Sequence, residues 1–436
     1  MRVGIAWECP WTPSSYGKIA LWLSGELQRL GFDVRVYCPS APPVDLYGRS
    51  VPYKPACPHK ELGVCYELEK PIEVSNDSWV CEDSDVDAVI IGGSPYGAIE
   101  MKWVQKCSSS KTPVAGYFVT ESAVVPPHLA TWLFHVDAVA FPTGAVARAF
   151  LVYDPLRELH KDFMVVPHGF PDYYFKLTPQ EVLDYVLSKT PSQSLKDALE
   201  SRSAGRLIVN VAKDHPRKDF AALFSAFALL KRRTGDEKLR LLLGFVKAVG
   251  ASMWDPAVLM YTLGLTERDV LSIDAKWQSN GMTELGLLTV YSLGNVFAFP
   301  SMGEGFGMPP IEASLLGLPH VTTRLPATVE VWGDYPLLVD SRPVLMSDGM
   351  ILFSTDYRDL AEKLERALSD PEHYGKLAKN TASRYRTSDM GKMIASLVDK
   401  AVGNAGRKMP YPVPFEKWAR VASGHAPVVL ETLGLL

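Results

Sequence analysis

The stretch Asn295-Val-Phe-Ala-Phe-Pro-Ser-Met-Gly-Glu-Gly-Phe-Gly-Met-Pro-Pro-Ile-Glu312 decides the fold. It begins as a short apolar run that reads as a buried strand ending at Pro300-Ser301. Glycines follow at 303, 305 and 307. Pro309 and Pro310 suit the first turn of a helix, where their missing N–H groups would be orphans anyway. Gly317 ends that helix and Pro319 prevents its continuation. A strand, a glycine loop and a helix N-terminus in this order present free backbone N–H groups and a positive dipole end to an anion. Glu304 sits in the loop and Glu312 in the first turns of the helix. A carboxylate accepts hydrogen bonds from two adjacent hydroxyls, so both suit a sugar or ribose diol.

Working outward, apolar β-branched runs alternate with helix-length amphipathic segments. This pattern is that of a parallel sheet covered on both faces. Predicted strands in the first half are 2–7, 33–38, 86–92, 113–119, 136–141 and 163–167. In the second half they are 206–212, 239–245, 269–274, 295–300, 319–323 and 336–340. Two such halves without sequence repetition predict an α/β protein of two Rossmann-like domains facing a cleft, with ligands outside the carboxyl ends of the strands. The expected division is residues 1–175, a linker helix in 176–204, and a second domain over 205–410. The stretch 411–436 is expected to pack back on the first domain. Residues 39–82, rich in Pro, Cys and Tyr, read as an irregular insertion. Thr178-Pro179-Gln180-Glu181 is a capping box that opens the linker helix, with Ser-rich sequence after it. Further helices are expected over 356–370 and 371–403.

A length of 436 residues fits two domains. The net charge of −4 gives no basic footprint for nucleic acid. No run reaches the roughly 18 apolar residues of a membrane span, and the start MRVGIAW reads as a first strand rather than a signal peptide. The expectation is a cytoplasmic protein with no transmembrane segment, open to peripheral membrane contact. The six cysteines all lie between Cys9 and Cys107. They read as buried or loop thiols, with a disulfide near 57–81 as the alternative. No CxxC pair supports zinc. Asn and Gln total only eleven, which hints at a thermophile.

Glu304-x7-Glu312, within SMGEGFGMPPIEASLLGLP, resembles the EX7E signature of the retaining GT-B glycosyltransferases of family 4. The resemblance is strong over 206–345 and thin before about 130. It implies that Glu304 contacts donor-sugar hydroxyls and that Glu312 holds the ribose. The backbone of Gly305, Phe306 and Gly307 would then grip sugar and diphosphate. It also covers Val211-Ala-Lys213-Asp-His-Pro-Arg217-Lys218-Asp219. There the family usually has Arg where Lys213 stands and Gly where Asp219 stands, and Lys218 matches its Lys. Cations at a strand end neutralise a departing diphosphate, so Lys213 and Lys218 join Glu304 as expected catalytic residues, and Arg217 as a supporting cation.

In the first half, Pro13-Ser-Ser-Tyr-Gly17-Lys18 retains one glycine of a family pair, so Gly17 is an expected substrate contact. Where many relatives carry a His, this chain has Thr120-Glu121, and Glu121 is the expected substitute. Pro167-His168-Gly169 resembles a hinge motif, with His168 serving the turn. Thr322 and Glu330 are weaker candidates for polar contacts. The base pocket is expected near Ala275 to Trp277. Asp83-Ser-Asp85 and Asp85-Val-Asp87 look like a DxD metal motif, but they precede a strand where that motif should follow one. No metal and no cofactor beyond the donor are therefore expected. The resemblance implies a retaining, metal-independent transferase. It would move a sugar from a nucleoside-diphosphate sugar to a hydroxyl of a glycan, lipid or small molecule. A silent sugar-binding subunit, an epimerase or hydrolase on the same frame, and a glycosidase using the two carboxylates are the rival readings.

Overall fold

The computed structural model describes residues 1–39, 50–82, 85–94, 96–189, 193–213, 215–246, 254–272 and 283–435. The expected base pocket at Ala275–Trp277, the end of strand 269–274 and Asp83 of the DxD pattern lie outside the described residues. The first sheet holds β1 (Arg2–Ala6), β2 (Asp33–Cys38), β3 (Ser50–Tyr53), β4 (Ile72–Asn76), β5 (Ala88–Gly93), β6 (Val114–Phe118), β7 (Ala138–Phe141) and β8 (Met164–Val165), in the order β3-β4-β2-β1-β5-β6-β7-β8. The second holds β9 (Leu207–Lys213), β10 (Arg240–Val246), β11 (Val270–Ser272), β12 (Val296–Phe299), β13 (His320–Thr323) and β14 (Leu338–Val339), in the order β11-β10-β9-β12-β13-β14. Every pairing in both sheets is parallel except β3 with β4. Helices cover both faces, so the strands are apolar on each side. Val3 and Ile5 of β1 and Leu207, Ile208 and Val209 of β9 have no exposed surface.

Four expectations are corrected. Within 39–82 the chain is not irregular throughout, because β3 and β4 extend the first sheet. Val74 is fully buried against β2, and the Pro and Cys around it hide a strand whose apolar face is short. The Ser-rich stretch after the linker helix Pro179–Lys189 forms a helix of its own, Gln193–Ser203. An antiparallel hairpin, β15 (Ser341–Leu345) with β16 (Ile351–Thr355), escapes the periodicity because its first strand is largely solvent-facing. Finally, the single helix expected over 371–403 is two, Pro371–Ala382 and Thr387–Gly403.

The helix Thr387–Gly403 was assigned to the second domain within 205–410. Instead it packs on the helix Ser15–Arg29 and on β5, β6 and β7. Its stripe of Met390, Ile394, Leu397, Val398 and Ala401, at most 1 % exposed, covers the first sheet. The chain thus crosses back near Arg386, where Phe170 N donates to the Tyr385 carbonyl at 3.0 Å and Thr387 N to the Phe170 carbonyl at 3.2 Å. Beyond it, Asp137 accepts from the backbone N–H groups of Arg407 and Lys408, each at 3.1 Å. The helix Phe415–Ser423 then packs against the helices Pro127–Ala130 and Asp154–Leu159. Among the described residues no helix is long and apolar enough to cross a membrane.

All six cysteines are paired, as Cys9–Cys38, Cys57–Cys65 and Cys81–Cys107. The thiol reading is therefore corrected. The pairing partners lie 29, 8 and 26 residues apart; Cys9 and Cys38 meet where the neighbouring strands β1 and β2 end, and Cys107 reaches Cys81 from the helix Ala98–Ser108.

Candidate active site

Because the strands are parallel, both sheets turn their carboxyl ends to one cleft. A cavity of about 400 Å³ lies there, within the usual size of small-molecule sites. The first domain lines it with Glu8, Ser14, Tyr16, Lys18, Glu121 and His168. The second contributes Lys213, His215, Arg217, Lys218, the run Glu304–Pro309, and Glu312. Of the expected catalytic and substrate-binding residues, Gly17 does not line it, and neither do the weaker candidates Thr322 and Glu330. Gly17 is buried in the first turn of its helix, where its N–H donates to the N-cap Ser14 at 2.9 Å. A Cβ there would stand 2.2 Å from the Thr12 carbonyl oxygen, so the glycine serves its own loop.

β9 ends at Lys213, and a short turn, Pro216–Lys218, follows. Asp219 then takes the left-handed conformation at φ +45°, and its side chain caps the next helix at Ala222 N. This explains why glycine is the family habit there: Asp is one of the few other residues that visits this region. The turn swings Arg217 and Lys218 onto the loop after β12. Glu304 Oε1 accepts from Arg217 at 2.5 Å, from Ser301 Oγ at 2.7 Å, and from Lys218. Arg217 also reaches the Gly303 carbonyl at 3.0 Å and Glu121 at 3.3 Å. It therefore joins the two domains.

Sequence reading kept Glu304 for the sugar and Lys218 for the diphosphate. Here they form one buried cluster, because both side chains converge from adjacent strand ends β9 and β12. Burial pushes the Glu304 carboxyl up, but Arg217 and Lys218 outweigh it and bring it down to about 2. Burial and the neighbouring Arg217 lower Lys218 to about 8, against the pull of Glu304. Lys213 lies at the exposed end of β9.

The helix Met308–Leu315 starts at Gly307, in the left-handed region at φ +85°, with prolines at its opening. Gly307, Met308 and Pro309 bring its N-terminus to the cavity. Glu312, 3 % exposed, is held from two sides: Tyr291 OH donates to Oε2 at 2.8 Å, and Lys18 Nζ lies 2.9 Å from Oε1. The loop glycines at 303 and 305 were expected to admit a ligand. A Cβ on Gly305 would sit 2.4 Å from Val119 Cγ1, and one on Gly303 2.5 Å from the Glu121 carbonyl oxygen. Their smallness thus admits the first domain's strand end as well.

Other contacts seal the same interface. Thr143 Oγ1 donates to the Gly305 carbonyl at 3.1 Å. Glu330 accepts from the N–H groups of Gly144 and Ala145 at 2.5 and 2.8 Å, capping a first-domain helix. In the hairpin, Ile351 N donates to Ser122 Oγ at 3.0 Å and Phe353 N to the Met302 carbonyl at 2.8 Å. Thr322 instead bonds the Phe299 carbonyl inside the sheet. His168, assigned to a turn, lies against Tyr117 OH at 2.7 Å and edge-on to Phe306, and burial lowers it to about 3. Lys18 is the main residue missed. It stands next to a flagged glycine, but its partner is 294 residues away. Asp85 and Asp87 pair with Arg2 and Arg35 at the amino edge of the first sheet, opposite the cleft.

Two Rossmann-like domains enclosing this cleft, with the Gly-loop carboxylates at its centre, make up the GT-B fold. Residues 272–384 match the family model for glycosyl transferases group 1, a span that includes Glu304 and Glu312. Over 196 residues the chain is 28 % identical to the serotype-specific mannosyltransferase WbdA of Escherichia coli, covering 45 % of this chain and 21 % of that protein. It therefore spans about a fifth of the length of that relative. It is 30 % identical to the O-antigen chain mannosyltransferase B of Escherichia coli over 30 % of this chain and 31 % of the relative. Two solved structures share the fold nearly end to end. Sucrose-phosphate synthase of Thermosynechococcus elongatus has a TM-score of 0.62, 15 % identity, and coverage of 92 % of this chain and 99 % of that one. Anabaena HepE in complex with UDP and glucose has a TM-score of 0.63 and 14 % identity, with the same coverage.

Proposed function

We propose that this protein is a retaining, metal-independent glycosyltransferase of family 4 type that moves a sugar from a nucleoside-diphosphate sugar to a hydroxyl acceptor. One observation carries the reading: Glu304, Glu312, Lys213, Arg217, Lys218 and a helix N-terminus all meet at one cavity. The helix start at Gly307–Pro309 receives the diphosphate. Lys213 and Lys218 stabilise its negative charge as the glycosidic bond breaks. Glu304, fixed through Oε1, offers Oε2 to the donor sugar, and Glu312 takes the ribose. The acceptor enters along Glu8, Ser14, Tyr16 and Glu121. Same-face attack assisted by the leaving phosphate accounts for retention without a protein nucleophile. The mannosyltransferase relatives make mannosyl conjugates the first donors to try. Few Asn and Gln together with three disulfides fit a heat-adapted protein of the cytoplasm.

The test is a thermal-shift screen with UDP, GDP, ADP and their sugar conjugates, with and without EDTA, on wild type and Glu312→Ala. A ligand of the native state raises the melting temperature by mass action. The expected result is a shift with one nucleotide, unmoved by EDTA and weakened in the variant. No shift with any nucleotide overturns the reading. Inversion at the anomeric carbon of the product, read by NMR, overturns retention.

A further inference from the structure

Lys18 lies on the first domain, yet its ammonium sits among second-domain carboxylates. Nζ is 2.6 Å from Glu284 Oε2, 2.9 Å from Glu312 Oε1 and 3.3 Å from Tyr174 OH. The ring centres of Trp22 and Tyr174 are each 5.9 Å away. Glu284 opens the helix Glu284–Leu293 and accepts from Tyr173 OH at 2.8 Å through its other oxygen. Burial works against the charge on Lys18, but Glu284 and Glu312 outweigh it and raise the ammonium above its ordinary value. One cation thus serves two carboxylates in a nearly dry place. Without it, Glu312 would be buried without a counter-charge, a costly arrangement.

We infer that Lys18 is a positioning residue for donor binding: it holds one oxygen of Glu312 and fixes the plane of the carboxylate for a ribose diol, so the donor site is complete only when the first domain is in place. This rests on the reading of Glu312 as the ribose carboxylate. Tyr291 and Lys18 each hold one oxygen of Glu312. A carboxylate oxygen has two lone pairs, so each oxygen keeps one acceptor site for a ribose hydroxyl.

The experiment is calorimetric titration with whichever of UDP, GDP and ADP the wild type binds, and with its 2′,3′-dideoxy analogue. Wild type is expected to favour the diol-bearing nucleotide. Lys18→Met is expected to weaken that nucleotide at least tenfold while changing the dideoxy analogue less than twofold. Lys18→Arg, which keeps the charge, retains most of the discrimination. Should Lys18→Met fail to fold, Glu284→Gln leaves the ammonium with Glu312 alone and is expected to keep the discrimination. Its loss there counts against the proposal. Equal weakening of both nucleotides in Lys18→Met, or of neither, overturns the inference and leaves the proposed function standing. A wild type that binds no nucleotide overturns the proposed function, and the inference with it.

Discussion

At the scale of single residues the site is an electrostatic cluster in which no charge acts alone. Glu304 is the counter-charge that lets Arg217 and Lys218 be buried at all. Replacing it by Gln leaves Lys218 without a counter-charge and Arg217 with Glu121 alone, at a cost of about 3–5 kcal/mol. Glu304→Gln is expected to lower the melting temperature and to cut turnover by about a hundredfold or more. Chemical denaturation and initial rates check both. The carboxyl stands at about 2 against an ordinary 4.5. Its stabilisation is therefore complete above pH 4.5 and is lost as pH falls towards 2. Lys218 has the opposite consequence for activity. With its ammonium at about 8, the charge proposed to stabilise the leaving group is present below pH 8 and vanishes above it. Turnover should fall as pH rises through about 8. Lys218→Arg should abolish that alkaline fall, because a guanidinium keeps its proton. A wild-type rate that stays flat to pH 9.5 would remove Lys218 from this role.

At the scale of elements, the loop after β12 has two neighbours, ligand space and the end of β6. Gly305→Ala drives a methyl against Val119 and toward the Thr120 carbonyl oxygen, 3.0 Å away. Such overpacking costs about 1–3 kcal/mol and wedges the two domains apart. Lys18 is then drawn away from Glu312, so kcat and nucleotide affinity should fall together. Parallel measurements of kcat and of the dissociation constant check this, and an unchanged affinity would argue against the wedge. The strand and loop positions here were legible in the sequence because apolar runs, glycines and prolines report local conformation directly. The hairpin β15–β16 and strand β4 were not, because short or half-exposed strands leave no periodic signature.

At the scale of the whole molecule, the two domains differ in how they are held. All three disulfides lie in the first, and Cys9–Cys38 closes a loop of 29 residues, worth roughly 3–4 kcal/mol on the chain-entropy account. Reduction and alkylation should lower the melting temperature by several degrees. The shift given by a bound nucleotide should persist, because the contacts proposed for it lie mainly in the second domain. Calorimetry with and without reductant reads both effects, and an unchanged melting temperature would show that the bridges do not carry stability.

The sequence by itself determined the alternation of strands and helices, the Gly-loop with Glu304 and Glu312, and the cationic turn at Lys213–Lys218. Those features follow from residue spacing within about twenty positions, where turn chemistry and periodicity act. Only the tertiary structure decided that Glu304 pairs with Arg217 and Lys218, that Lys18 crosses to Glu312, that the helix Thr387–Gly403 returns to the first sheet, and which cysteines meet. Each of these joins positions brought together by packing, and buried charges choose their partners from whatever the packing brings within reach.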